Sequence, residues 1–256
     1  MSFSIVIPSR YSSSRLPGKP LQMIGSKTLI QRVYECAKQS DADEIVIATD
    51  DERIEAESHR FSAKVCMTRD DHETGTDRLA EVIEILQYPD DHIIVNLQGD
   101  EPLMPASVIN QVARNLSDNP EASSATVCSE ITEAHELFDA NIVKVVSDDQ
   151  GFALYFSRAP IPWVRDQWNA VSFSSQDSLP KDVTHYRHIG LYAYRVGFLK
   201  KFVRWPVCSL ERSESLEQLR SLSNGEKIHV ETASEAPGPG VDTPNDLEKV
   251  RQLFRD

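Results

Sequence analysis

The chain has 256 residues, 40% of them hydrophobic, and a formal net charge of -13. This length and apolar content are enough to bury the core of one large domain. The apolar runs are far shorter than the roughly 20 residues that a membrane-spanning helix needs, so we expect no membrane insertion. The acidic balance argues against nucleic-acid binding, which depends on a basic surface.

The cysteine pattern bears on the cellular compartment of the protein. Cys36, Cys66, Cys128 and Cys208 are scattered and show neither a CxxC pair nor a zinc-ligand spacing. Such residues are typical of small core positions in a reducing environment. The first ten residues look like the start of a strand and lack the basic and long apolar regions of a signal peptide. We therefore expect a cytoplasmic protein.

The first 118 residues alternate short β-branched runs with segments of helical spacing. This alternation predicts parallel α/β units, in which ligands collect at the carboxyl ends of the strands. Strands are predicted at Ser4–Ile7, Glu44–Ala48, Lys64–Met67 and His92–Leu97, and helices at Leu29–Ala37, around Leu79–Leu86 and around Val108–Leu116.

From residue 119 the predicted strands follow one another too closely for crossover helices, which indicates an antiparallel extension. One helix is predicted around Leu216–Leu222, and the Ser-rich stretch 168–183 is predicted to be a mobile surface loop. The strands are predicted at Ala125–Cys128, Ile142–Val146, Phe152–Phe156, Ile189–Tyr194 and Ile228–Thr232.

The last helix has a clear start signal. Thr243 is predicted as its N-cap, Pro244 as its first residue and Asp246 as the acidic partner of a capping box. The pattern as a whole predicts a single α/β domain with a β-rich second half.

The loop after the first predicted strand carries three cations, Arg10, Arg15 and Lys19, in an otherwise acidic chain. It matches neither the Walker loop nor the dinucleotide fingerprint, because Gly18 stands without further glycines. Arginine forks and a lysine charge suit phosphate oxygens, particularly ahead of a helix. We therefore expect phosphate binding here, with a solvated basic loop as the alternative.

Two carboxylates are candidates for a metal site. Asp100 follows the buried strand that ends in Gln98-Gly99, and Asp242 directly precedes the last helix. Mg²⁺ is typically held by one or two carboxylates together with substrate phosphates. The alternatives are a turn before a proline at Asp100 and a favourable charge near the helix dipole at Asp242.

The segment Thr74–Arg78 opens another helix. Its Gly-Thr start offers backbone donors and small hydroxyls to a base or ribose, although an ordinary capping motif has the same composition.

Seven segments of the chain closely resemble the 3-deoxy-manno-octulosonate (KDO) cytidylyltransferases, the CMP-KDO synthetases of bacterial lipopolysaccharide biosynthesis. They occur in the family's order, from the first strand to the last helix. The segments are IPSRYSSSRLPGKPL, HETGTDRLAEV, VNLQGDEP, ALYFSRAPIPW, YRHIGLYAYR, LEQLR…GEKIHV and PGVDTPNDLEKVR.

The resemblance implies a nucleotide-diphospho-sugar transferase fold, which is Rossmann-like, with a central, mostly parallel mixed sheet and a β-rich second half used for homodimerisation. It implies one cytidylyltransferase domain, 1–256, with a nucleotide-binding half at 1–118 and a sugar-binding and dimerisation half at 119–256. The reaction would be transfer of CMP from CTP to an octulosonate sugar acid, with Mg²⁺ as cofactor and pyrophosphate as the second product.

The resemblance also assigns residues. The catalytic set would be Arg10, Arg15, Lys19 and Asp100, and the metal ligands Asp100 and Asp242. The nucleotide would contact Pro8, Arg10, Arg15, Lys19, Thr74, Gly75, Thr76, Arg78 and Gln98. The sugar would contact Gln98, Arg158, His188, Tyr192, Glu217 and Gln218.

One segment departs from the family pattern, which commonly has His-Ile-Glu-Met where this chain has Arg212-Ser213-Glu214-Ser215. An octulosonate with an amino group at C8 is therefore an alternative substrate, and Glu214 is a candidate acceptor for that amine. Two further alternatives are a metal-dependent glycosyltransferase and a catalytically silent nucleotide-binding protein. The triphosphate-type loop argues against the former, and the presence of Lys19 and both carboxylates against the latter.

Overall fold

The structure is a computed structural model that describes residues 1–12, 15–72, 74–165, 168, 179–180 and 182–254. Its strands are β1 Phe3–Ser9, β2 Met23–Ile24, β3 Lys27–Thr28, β4 Glu44–Thr49, β5 Lys64–Met67, β6 Ile93–Asn96, β7 Ser124–Glu130, β8 Lys144–Ser147, β9 Ala153–Ser157, β10 Tyr186–Arg195 and β11 Ile228–Thr232. Its helices are α1 Leu29–Ala37, α2 Glu52–Arg60, α3 Gly75–Ile85, α4 Ala106–Asp118, α5 Ala134–Phe138, α6 Val196–Phe202, α7 Ser209–Glu214, α8 Gln218–Ser223 and α9 Pro244–Leu253.

One mixed sheet organises the described residues. Its main path runs β11-β7-β10-β6-β1-β4-β5, and β8 joins it by pairing with β10 and with β9. The pairs β1–β4, β1–β6, β4–β5 and β7–β11 are parallel, whereas β10 is antiparallel to both β6 and β7. β1 is buried along its whole length, because parallel strands are covered by helices on both faces.

Two apolar clusters lie on opposite faces of the sheet. One includes Leu29 and Val33 of α1 and Val108 and Val112 of α4. The other includes apolar residues of α3, α6 and α8, among them Leu79. The apolar faces predicted for α3 and α4 are therefore the faces that pack against the sheet, as amphipathic helices require. Among the described helices, none has the length and apolar character needed to cross a bilayer.

The second half differs from its prediction in its short helices and in one strand pairing. The short helix α5 lies between β7 and β8, and β11 pairs with β7 in parallel, so this part is not purely antiparallel. The helix predicted around Leu216–Leu222 is observed as α8, Gln218–Ser223. The short helix α7 before it was not predicted, and it ends at Ser215, which adopts a left-handed conformation (φ 52°). The loop predicted to be mobile lies mostly at 169–178, outside the described residues.

The start of α9 is as predicted. The Thr243 side chain accepts a hydrogen bond from the Asp246 amide, and the Asp246 carboxylate accepts one from the Thr243 amide. The chain thereby enters α9 with Asp242 just ahead of the first turn, beside the carboxyl ends of the central strands.

Candidate active site

Two adjoining cavities lie at the carboxyl ends of β1 and β6. The larger, about 390 Å³, is lined by the loop after β1, the residues after β6, the start of α3, and Asp242. The smaller, about 110 Å³, lies between the sheet and α8. Gly75 and Gln98 line both cavities, so a ligand can extend from one into the other.

The larger cavity holds a compact charge cluster centred on Lys19. The Lys19 ammonium donates to Oδ2 of Asp100 at 2.7 Å and to Oδ1 of Asp242 at 3.2 Å. Arg15 forms a second ion pair with Asp242 at 3.2 Å. The structure thus brings together four groups that the sequence predicts at the site, although Lys19 and Asp242 are more than 200 residues apart.

The same contacts test whether a metal ion fits. One ammonium reaches both carboxylates, so an Asp100 oxygen and an Asp242 oxygen lie close to one common point. Two hard carboxylate oxygens next to a phosphate-sized cavity are the donor set that Mg²⁺ takes when substrate phosphates complete its coordination. The residues present therefore fit Mg²⁺.

Gly99 allows the two strand ends to approach. A Cβ atom at this position would lie 2.8 Å from the carbonyl oxygen of Pro8. That separation is too short for any other residue, so Gly99 lets the β1 loop and Asp100 face the same cavity.

Glu101 is a site neighbour that the sequence reasoning missed. Burial, together with the negative charges of Asp100 and Asp242, raises the pKa of Glu101 to about 8. Glu101 directly follows the predicted ligand Asp100, which could have marked it as a site neighbour. Nothing in the sequence shows, however, that the Glu101 side chain is buried.

The start of α3 borders both cavities. Thr74 and Asp77 form a capping box, the alternative given for this segment, while Gly75 lines both cavities and Thr76 the smaller one. Arg78 lines the larger cavity, but it is buried and its guanidinium is bonded to Asp50 at 2.7 Å and to Thr68. We infer that Arg78 shapes this wall and that its charge is compensated by Asp50.

Glu217 lines the smaller cavity and faces the start of α3. Its carboxylate accepts hydrogen bonds from Thr74 at 3.1 Å and from Thr76 at 2.9 Å. Burial raises the pKa of Glu217, and these bonds and the charge of Arg220, 4.0 Å away, only partly oppose that effect. Tyr192 and Gln218 line the same cavity.

Three predicted sugar contacts are not among the residues that line either cavity. The Arg158 side chain donates to backbone carbonyls, including that of Glu214 at 2.6 Å. The Glu214 carboxylate accepts from the Ser157 hydroxyl at 2.6 Å and from the Arg158 amide at 2.9 Å. His188 is bonded to Thr126 at 3.0 Å, and burial lowers its pKa to about 3, so its ring is neutral near pH 7.

The role of Glu214 as an acceptor for an amino group stays a prediction. Its two carboxylate oxygens already accept hydrogen bonds within the protein. The roles of Arg158 and His188 toward the sugar stay predictions.

The comparisons with known proteins agree with this geometry. A family model described as Cytidylyltransferase matches residues 4–228. The 3-deoxy-manno-octulosonate cytidylyltransferase of Vibrio parahaemolyticus is 56% identical over 99% of this chain and 98% of the relative. The enzyme of that name from Pseudomonas syringae pv. tomato is also 56% identical, with the same coverage. The chain belongs to the 3-deoxy-manno-octulosonate cytidylyltransferase family.

Solved structures support the same assignment. A CMP:2-keto-3-deoxy-manno-octonic acid synthetase complexed with CTP superposes with a TM-score of 0.88 at 44% identity, covering 99% of this chain and 98% of that one. A 4-diphosphocytidyl-2C-methyl-D-erythritol synthase, at 13% identity and a TM-score of 0.62, shares the fold. The predicted fold class is confirmed, as is the prediction of a nucleotidyltransferase.

Proposed function

We propose that this chain transfers CMP from CTP to the anomeric hydroxyl of KDO, giving CMP-KDO and pyrophosphate for lipopolysaccharide biosynthesis. The observation that carries the proposal is the Lys19–Asp100–Asp242 cluster in a cavity that opens, past Gln98, into a second one. The first cavity suits a triphosphate and the second a sugar. The names of the relatives supply the identities of the two substrates.

The cationic side chains of the larger cavity bind and orient the nucleotide. Arg10, Arg15 and Lys19 line it and offer charge-assisted hydrogen bonds to phosphate oxygens. As the bond to the α-phosphorus breaks, negative charge grows on the departing pyrophosphate, and fixed cations stabilise that charge. Phosphoryl-type transfers depend mainly on such positioning and neutralisation.

Asp100 and Asp242 would hold Mg²⁺ in this family reaction. When bound, Mg²⁺ neutralises phosphate charge and lowers the pKa of a nearby hydroxyl. Lys19 is hydrogen-bonded to both carboxylates, so it keeps them at one point before the nucleotide arrives.

The sugar is oriented from the second cavity. Gln98 lies at the junction, where the anomeric oxygen must meet the α-phosphorus. Tyr192, Glu217 and Gln218 surround the rest of the sugar. We propose KDO as the preferred substrate over its 8-amino analogue, because the relatives carry the KDO name.

A substrate panel tests the proposal. Initial rates of pyrophosphate release are measured with CTP, Mg²⁺ and one of KDO, 8-amino-KDO or a nine-carbon keto-acid sugar. We expect release with CTP plus KDO, less with the amino analogue and none with CTP alone. Absence of pyrophosphate release with every octulosonate would rule out the proposal. Turnover of an already activated sugar without pyrophosphate release would favour a glycosyltransferase.

We further propose that the protein is a cytoplasmic homodimer that uses its β-rich half for association, as the resemblance implies. Light scattering coupled to size exclusion should give twice the chain mass of 28.8 kDa. A monomeric mass at micromolar concentration would contradict the dimer and leave the proposed reaction untouched.

A further inference from the structure

The smaller cavity is lined by buried polar atoms that have no hydrogen-bond partner within the part of the chain that the structure describes. Asn96 is 3% exposed, Ser124 1% and Tyr192 7%. Among the described residues, the Oδ1 atom of Asn96 and the Ser124 hydroxyl have no partner, and both residues line this cavity together with Tyr192, whose hydroxyl lies near Thr126. Buried polar groups are nearly always hydrogen-bonded in proteins, so Asn96 and Ser124 are placed to bond polar groups of a ligand in this cavity.

The sheet places these three groups together. Tyr192 on β10 lies opposite Asn96 on β6. Two residues further along β10, Tyr194 lies opposite Ser124 on β7. Residues two apart on a strand lie on the same face of the sheet, so Asn96 and Ser124 belong to one polar surface at the base of the cavity. Neither Asn96 nor Ser124 belongs to the predicted site.

The size and charge of the cavity restrict what the occupant can be. Its volume of about 110 Å³ is several times the ~10–15 Å³ that one water requires. The described residues that line it include no lysine or arginine, but they include the carboxylate of Glu217. A sugar carboxylate or a phosphate would therefore be repelled, whereas neutral hydroxyls can both donate and accept.

We propose that Asn96 and Ser124 form the subsite that binds the terminal hydroxyl groups of the octulosonate, at the end of the sugar remote from the reacting anomeric centre. This inference rests on the proposed function. The reacting end must lie near Gln98 and the charge cluster of the larger cavity, so the opposite end of the same molecule extends toward Ser124. The two residues then select substrates by chain length and by a hydroxyl at the last carbon.

The test is a thermodynamic cycle that combines two forms of the protein, wild type and Ser124→Ala, with two substrates. Values of kcat/KM are measured for KDO and for its 8-deoxy analogue, with the wild-type protein and with Ser124→Ala. In the wild type, loss of the terminal hydroxyl should lower kcat/KM by about tenfold, because a buried partner is then left unpaired. In Ser124→Ala the KDO value should fall by about three- to tenfold while the 8-deoxy value changes little, so the preference shrinks.

Ser123→Ala is the matched control. The Ser123 hydroxyl lies one residue away, but it donates to the carbonyl of Lys227 at 3.0 Å and does not line the cavity. Its removal should leave the ratio between the two substrates unchanged. The KM for CTP should also be the same in both serine variants, because the nucleotide occupies the other cavity.

A preference that is identical in the wild type and in Ser124→Ala would overturn the inference, because a cavity that holds only water would affect both substrates equally. If Ser124→Ala does not fold, Asn96→Ala takes its place in the cycle. The wild-type comparison needs no variant, and equal kcat/KM for the two substrates would also overturn the inference. Absence of pyrophosphate with KDO itself would instead count against the proposed function.

Discussion

Gly99→Ala tests whether the close approach of β1 and β6 positions the reacting groups. The added Cβ would lie 2.8 Å from the Pro8 carbonyl oxygen, whereas ordinary contact begins at 3.4 Å. The difference means that the two strand ends must separate by about 0.6 Å. Gly99 directly precedes Asp100, and Pro8 lies two residues before Arg10, so this movement separates the carboxylate from the cationic loop.

The expected effect follows from that displacement. A misplacement approaching 1 Å can cost about 100-fold in rate, so we expect kcat/KM for CTP to fall by about 10- to 100-fold. Overpacking of this kind should also destabilise the fold by about 1–3 kcal/mol. Steady-state pyrophosphate release measures the first effect and urea denaturation the second.

Gly225→Ala is the matched control for a general loss of stability. Gly225 has φ +78°, and apart from its chain neighbours no described residue lies within 4 Å of an added Cβ, so the substitution strains the backbone without displacing a neighbour. We expect a stability loss of about 1 kcal/mol with little change in kcat/KM. Full activity of Gly99→Ala, or equal activity losses in the two variants, would refute the reasoning.

Three further substitutions test the charged groups. Lys19→Met should raise the KM for CTP by at least about tenfold, because a charge-assisted bond to phosphate is lost; an unchanged KM would contradict its role. Glu217→Gln should weaken sugar binding yet raise Tm near pH 7. In the folded protein the pKa of Glu217 lies above its ordinary value of 4.5, so the ionised carboxylate destabilises the fold as pH rises above that value. A Tm of Glu217→Gln that is lower than wild type at pH 7 and equal to it at pH 4 would contradict this reasoning. Arg220→Met should destabilise the fold by about 3–5 kcal/mol, because it leaves the buried Glu211 carboxylate, now 2.8 Å from Arg220, without a cation. Urea denaturation should show partial recovery when Glu211→Gln is added, and no recovery would argue against the pair.

Local signals in the sequence account for much of the fold. The alternation of β-branched runs and helical spacing is sufficient for β1, β4, β5 and β6, and Thr243-Pro244-Asp246 defines the start of α9. The end of α7 at Ser215 was not predictable, because its left-handed conformation falls on a serine, and the sequence has no glycine there to indicate it.

The candidate site was predictable where a charged residue follows a strand or precedes a helix. Lys19, Asp100 and Asp242 satisfy that rule, although only the fold shows that they meet. Asn96 and Ser124 could not be found in this way, since a small polar residue in a strand resembles any other. The partners of Arg78 and Glu214 were also hidden, because each pairs with a side chain or backbone group distant in sequence.

The most direct test of the central claim is a ³¹P NMR measurement of both products in one sample. Wild-type protein with CTP, KDO and Mg²⁺ should form CMP-KDO and pyrophosphate in equal amounts, and Asp100→Asn should form neither at a comparable rate. Pyrophosphate without a CMP-sugar, release of CDP and phosphate, or full activity of Asp100→Asn would contradict the account.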